Sequence, residues 1–159
     1  MNIQIIAVGK LKEKYWIDAI SEYMKRLGPY AKMQITEIPE EKASDSMSEA
    51  EEQQIRSREG DRILGQIKKE AYVIAMAIEG ATWSSEELAE HVEQLGIKGK
   101  SHLVFIIGGS LGLASSVMSR ADQKLSFGRI TYPHQLMRVV LVEQVYRAFK
   151  ILRGEPYHK

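Results

Sequence analysis

Three short stretches of this chain are apolar almost without a break: Ile3 to Val8, Ala71 to Ile78 and Leu103 to Ile107. Runs of that length read as strands buried on both faces, the kind found in parallel sheets whose crossovers cover both sides. Met33 to Ile38 adds another strand, and Leu125 to Tyr132 a fifth strand or extended loop. Helical patterns fill the intervals. Lys14 to Leu27 repeats Trp16, Ala19, Ile20, Tyr23 and Leu27 at helical spacing and stops at Gly28-Pro29. After a polar loop from Glu40 to Met47, Ser48-Glu49-Ala50-Glu51 offers a capping box for a charged helix through about Ile67. Ser84-Ser85-Glu86-Glu87 offers a second, for a helix expected to end at Gly96 with a residue at positive φ. Pro133 suits the first position of a last helix running to about Arg153. Strands alternating with helices predict an α/β fold with a mostly parallel sheet flanked by helices.

The length of 159 residues fits one domain spanning 1–159. The absence of cysteine removes disulfides, thiolate metal sites and thiol catalysis, and leans towards a reducing, cytoplasmic setting. No apolar stretch approaches the ~20 residues of a membrane span. A formal net charge of +1 gives no overall positive field, but the charge is uneven. Residues 1–32 sum to +3, 33–62 to −5, 63–128 to −1 and 129–159 to +4.

Gly108-Gly109-Ser110-Leu111-Gly112 is the sharpest local signal. It follows an apolar strand and precedes a helix, where open α/β sheets bind ligands. As G-x-S-x-G it matches a nucleophile elbow, with Asp122 and then His134 or His158 in hydrolase order, which would make a small serine esterase. It does not match the dinucleotide spacing G-x-G-x-x-G. A glycine turn without a ligand is the plainer reading. The four histidines lack ligand spacing, so no metal is expected. His91 is expected to be solvated and His102 to lie on the surface, while His134 and His158 flank the basic last helix.

On that helix Arg138 falls within an apolar arc of Met137, Leu141, Val145, Ala148, Phe149 and Leu152. A charge there must be met by solvent, an anion, a carboxylate or a neighbouring subunit. Glu143 and Arg147 stand four apart in the order that favours a helix salt bridge. The chain closes on Pro156-Tyr157-His158-Lys159, an aromatic, an imidazole and a cation where most chains fray.

These features resemble the RlmH family of small SPOUT-class methyltransferases, which act on large-subunit ribosomal RNA. The resemblance rests on Ala7-Val8-Gly9-Lys10, Ile106-Ile107-Gly108-Gly109 with Gly112, Tyr132-Pro133-His134, Arg138-Val139, Glu143 to Ala148 and Pro156-Tyr157-His158, and it covers the whole chain. It implies an α/β-knot fold with a C-terminal trefoil, a single domain with no separate RNA-binding domain, a homodimer with a composite active site, and no metal. It implies S-adenosyl-L-methionine held by Met76, Gly108, Phe127, Gly128, Arg129, Ile130, Thr131 and Tyr132. The implied reaction is methylation of N3 of a pseudouridine in 23S ribosomal RNA on the assembled 70S ribosome. The uracil-like N3–H must lose its proton, so a base or a stabilising cation is required. Arg138, Tyr157 and His158 are the expected catalytic residues, supported by Glu143 and Arg147, with Arg147 and Lys159 available to phosphates. A non-catalytic ribosome-binding module would share the basic ends without the cofactor.

Overall fold

The computed structural model describes residues 1–159. Five strands form one sheet: β1 (Asn2–Val8), β2 (Lys32–Ile38), β3 (Tyr72–Thr82), β4 (His102–Ile107) and β5 (Gln123–Ser126), in the order β2-β1-β4-β3-β5. Every pairing is parallel. The central strands are buried on both faces, as their unbroken apolar runs require: Ile3, Ile5, Ile6 and Ala7 in β1, and Leu103 to Ile107 in β4.

Helices α1 (Lys14–Leu27), α3 (Ser85–Ile97) and α5 (His134–Leu152) cover one face with the larger core cluster, in which Phe105, Leu141 and Val145 meet Leu88 and Val92. The other face carries α2 (Glu49–Leu64) and the short α4 (Ser115–Arg120), over Ile6, Val73, Val104 and Ile106. α1 has the expected bounds. α3 begins with the expected capping box, in which the Ser84 hydroxyl accepts from Glu87 N–H and the Glu87 carboxylate accepts from Ser84 N–H. At α2 only half the box forms: Ser48 accepts from Glu51 N–H.

Local signals misplace several ends. α2 stops at Leu64 rather than Ile67, because Gln66 N–H and Ile67 N–H bond only three residues back, to Ile63 O and Leu64 O, in tight turns. α3 continues through Gly96, and Gly99 takes the positive φ instead, at +76°. Pro133 caps α5 from outside the helix. β3 runs four residues beyond Ile78 because it pairs with β5 twice, at Ile74–Met76 and again at Ala81–Thr82, with a register break between. Gly80 lies in that break against the β5 backbone. A Cβ there would sit 2.7 Å from Leu125 N and Lys124 C, so no other residue fits.

Candidate active site

The carboxyl ends of β3, β4 and β5 lead into loops that enclose a cavity of about 680 Å³, within the range of small-molecule sites. β3 supplies Met76 to Glu79, and the turn after β4 supplies Gly108 to Leu113. The stretch after β5 supplies Phe127, Gly128, Ile130, Thr131 and Tyr132, and the start of α5 supplies His134 and Met137.

Each loop is fixed by its own chemistry. Gly112 N–H bonds to Gly109 O at 3.1 Å with Gly112 at φ +80°, a turn a side-chain-bearing residue adopts with strain. A Cβ on Gly108 would lie 3.1 Å from Gly112 C and from the Leu113 side chain, so bare backbone lines the cavity there. The buried Ser126 hydroxyl donates to Gly128 O at 3.0 Å and accepts from Gly128 N–H at 3.1 Å, closing the loop after β5.

Seven of the eight residues expected to hold a cofactor line this cavity. Arg129 does not; it is exposed beside it. Ile78 and Ile130 stand on the rim 56% and 73% exposed, large apolar side chains that nothing in the protomer covers. The apolar wall and bare glycine backbone suit an adenosyl group, which needs a flat apolar contact and polar atoms within reach.

The nucleophile-elbow reading fails on geometry. The nearest polar partner of Ser110 Oγ is Glu40 Oε1 at 3.5 Å, and Asp122 instead accepts from Val73 N–H at 2.8 Å. Nor is His91 solvated. It packs between Tyr72 and Trp83, its ring 4.5 Å from that of Trp83, with Nε2 buried and unpartnered. Burial lowers its pKa, with Lys98 adding to the effect.

Arg138 is neither solvated nor in the cavity. It is 1% exposed, with Nη1 donating to Glu37 Oε2 at 2.9 Å and Nη2 to Val8 O at 3.1 Å and Gly9 O at 2.7 Å. Burial lowers its pKa against the pull of Glu37. Both Nη atoms are engaged inside the protomer. Within the protomer Arg138 ties α5 to the ends of β1 and β2, while its buried Nε has no hydrogen-bond partner.

The other expected catalytic residues do come together. Tyr157 donates to Glu143 Oε1 at 2.9 Å, and Arg147 Nε donates to the same oxygen at 3.0 Å. The Arg147 guanidinium lies 4.7 Å from the Tyr157 ring centroid, and Tyr157 packs edge-on to Tyr146. Arg147 Nη1 is 3.1 Å from His158 Nδ1, and His158 Nε2 is 2.8 Å from Glu86 Oε1. A guanidinium only donates, so Nδ1 accepts and the proton sits on Nε2, facing Glu86. That bond holds the Glu86 carboxyl below its usual range. Burial, with Tyr23 and Glu143, pushes the Tyr157 hydroxyl well above its ordinary value. Glu155 anchors the tail to Lys150 at 2.7 Å, so the terminus does not fray.

None of these tail residues lines the cavity. At 1.5 Å per residue, Arg147 lies roughly 15 Å along α5 from Met137. His134, named from the sequence only as a possible base, also lines the cavity, as do three polar residues that the sequence reading missed: Arg56, Glu79 and Ser126. The −5 charge of residues 33–62 hid Arg56 in an apparently solvated segment.

A parallel sheet with a cavity at its strand ends defines an open-sheet α/β protein of the kind that binds ligands there. A probable methylase family protein from Haemophilus influenzae Rd KW20 shares the fold, with a TM-score of 0.54 and 13% identity over 99% of this chain and 70% of that one. The chain belongs to the SPOUT methyltransferase family, whose model, described as "Predicted SPOUT methyltransferase", matches residues 1–158. Ribosomal RNA large subunit methyltransferase H of Enterococcus faecalis (strain ATCC 700802 / V583) is 60% identical over the full length of both chains. The proteins of that name from Listeria monocytogenes serotype 4a (strain HCC23) and Bacillus pumilus (strain SAFR-032) are 59% and 60% identical, also over full length. The chain is therefore a methyltransferase. No helix is long and apolar enough to cross a membrane.

Proposed function

We propose that the protein transfers the methyl group of S-adenosylmethionine to N3 of a pseudouridine in 23S ribosomal RNA, acting as a cytoplasmic homodimer on the assembled 70S ribosome. The observation that carries this reading is the convergence of three strand-end loops on one cavity lined by Met76, Gly108 and residues of the 127–132 stretch, in a chain whose full-length relatives bear a ribosomal RNA methyltransferase name. The trefoil threading belongs to the same reading and rests on the family to which the chain belongs.

When bound, S-adenosylmethionine supplies a methyl group activated by a positively charged sulfur. Met76, Phe127, Ile130 and Tyr132 hold the adenosyl end, while the bare backbone at Gly108 and the loop at Gly128 and Thr131 give it hydrogen-bonding partners. Proximity of methyl and nucleophile supplies much of the rate.

The N3 proton remains, and the cavity's own protomer brings no tail residue to it. A partner subunit's tail completes the site, which accounts for the uncovered Ile78 and Ile130 at the rim. There Tyr157 packs against the base, and His158 assists proton removal or positions the nucleotide. Glu143 orients Tyr157 and Arg147 through the oxygen they share, and Arg147 and Lys159 meet phosphates. Arg138 is a positioning residue that holds the start of α5.

The test is incubation with methyl-labelled S-adenosylmethionine and 70S ribosomes from a strain lacking this protein, followed by mapping of the label. Label at N3 of one pseudouridine is expected. Absence of label would leave a ribosome-binding module. Removal of Tyr157 to Lys159 is expected to abolish transfer while S-adenosylhomocysteine still binds; transfer at the wild-type rate would remove the tail from the mechanism.

A further inference from the structure

Helix α2 belongs to the acidic part of the chain, yet Arg56 turns from it into the cavity. Its side chain is 24% exposed, and its nearest acceptors are distant: Leu111 O at 3.5 Å and Glu52 Oε2 at 3.7 Å. A guanidinium has five N–H donors, and contacts this long leave nearly all that capacity unused. The helix that presents it is firmly seated. A Cβ on Gly60, one turn further on, would lie 3.0 Å from the Ala114 Cβ, and Ile55 and Ile63 are buried. Arg56 is the only lysine or arginine lining the cavity, and it stands on the glycine-turn side. The apolar Phe127, Ile130 and Tyr132 belong to another loop.

We propose that Arg56 binds the carboxylate at the amino-acid end of the methyl donor. This rests on the reading that the cavity holds S-adenosylmethionine. That molecule joins a flat apolar-faced base to a charged amino-acid end, and the cavity has one apolar loop and one cationic side chain on separate walls. A carboxylate entering a partly dry cavity needs a charged donor, and a guanidinium can meet both its oxygens at once. An RNA phosphate is the less suitable occupant. Glu49, Glu51 and Glu52 stand on the same helix and repel a polyanion, whereas the charged lining of the cavity is Arg56 with Glu79, one charge of each sign for the two charges of an amino-acid end.

Two ligands separate the roles. S-Adenosylhomocysteine carries the amino-acid end, and 5′-methylthioadenosine lacks it. Calorimetry on Arg56→Gln is expected to show about a tenfold loss of affinity for the first and no change for the second. Arg56→Lys, which keeps the charge and loses the fork, should fall between. Equal losses for both ligands would mean that Arg56 only steadies the glycine turn, and would overturn the assignment. Unchanged affinity for both, with weaker binding to 70S ribosomes, would overturn it in favour of an RNA contact. Unchanged affinity throughout would overturn it as well. Wild-type protein that binds neither ligand would instead refute the reading of the cavity itself, and the assignment with it.

Discussion

Arg138 Nη2 donates to the carbonyl oxygen of Gly9 at 2.7 Å, joining the beginning of α5 to the end of β1 across 129 residues. With Val8 O and Glu37 on the same guanidinium, this one side chain closes the carboxyl edge of the sheet behind the cavity. Lysine cannot serve three acceptors in that fork geometry. Arg138→Lys is expected to lower unfolding free energy by about 3 kcal/mol, measured by urea denaturation. A loss below about 0.5 kcal/mol, with transfer abolished, would return Arg138 to the reacting groups.

Gly80 has no room for a methyl group against Lys124 and Leu125. The obstacle is backbone, so neither strand can yield without breaking the second β3–β5 pairing. Gly80→Ala should destabilise the protein by more than about 2 kcal/mol. A thermal midpoint equal to wild type would show that the two strands cross more loosely than a 2.7 Å approach implies.

Glu59 is buried on α2 and accepts from Glu41 N–H at 3.0 Å. Burial raises its carboxyl pKa, Glu40 and Glu41 add to this, and the Glu41 N–H and Arg62 oppose it. A carboxyl raised in the folded state favours folding while protonated, and that contribution is lost as pH climbs through the folded value. Glu59→Gln keeps an acceptor for Glu41 N–H without the charge. Its thermal midpoint should gain on wild type as pH rises from about 4.5 towards neutrality. A difference that stays flat across that interval would contradict the burial argument.

A composite site makes a prediction about mixtures. Gly108→Leu fills the cavity, and removal of Tyr157 to Lys159 deletes the tail, so each variant alone should be inactive. Co-refolded together, they are expected to form mixed dimers that hold one intact cavity and one intact tail. About a quarter of wild-type transfer per subunit is expected if subunits pair at random. Activity in neither pure variant nor mixture would place cavity and tail in one protomer.

Much of this is legible in local pattern, because much of it is locally determined. Lys14 to Leu27 and the Ser84 capping box are decided by neighbours within a turn, and both stand where the sequence puts them. The strands of the core announce themselves because burial on both faces leaves no polar positions. What escapes is non-local. The extra length of β3 comes from a second pairing with β5, which no property of Ile78 to Thr82 encodes. His91 looks solvated on a charged helix until Trp83 and Tyr72 close on it from outside that helix. Arg56 vanishes among carboxylates, although the direction one residue faces matters more than the sum around it. The tail stands out as a set in its residue types, yet its distance from the cavity does not, since both sit on or beside one helix.

The cavity draws its walls from β3, the turn after β4, the stretch after β5 and the head of α5, and α5 is held by a bond to residue 9. Order of synthesis therefore matters. A growing chain can present β1, β2 and α1 early, but it owns no cofactor site until the segment after β5 and the head of α5 have emerged and returned to the end of β1. A product cut short by stalled translation would lack α5, with it the cover over one face of the sheet, and could not close the cavity, so an intact cavity doubles as proof that the message was read nearly to its end.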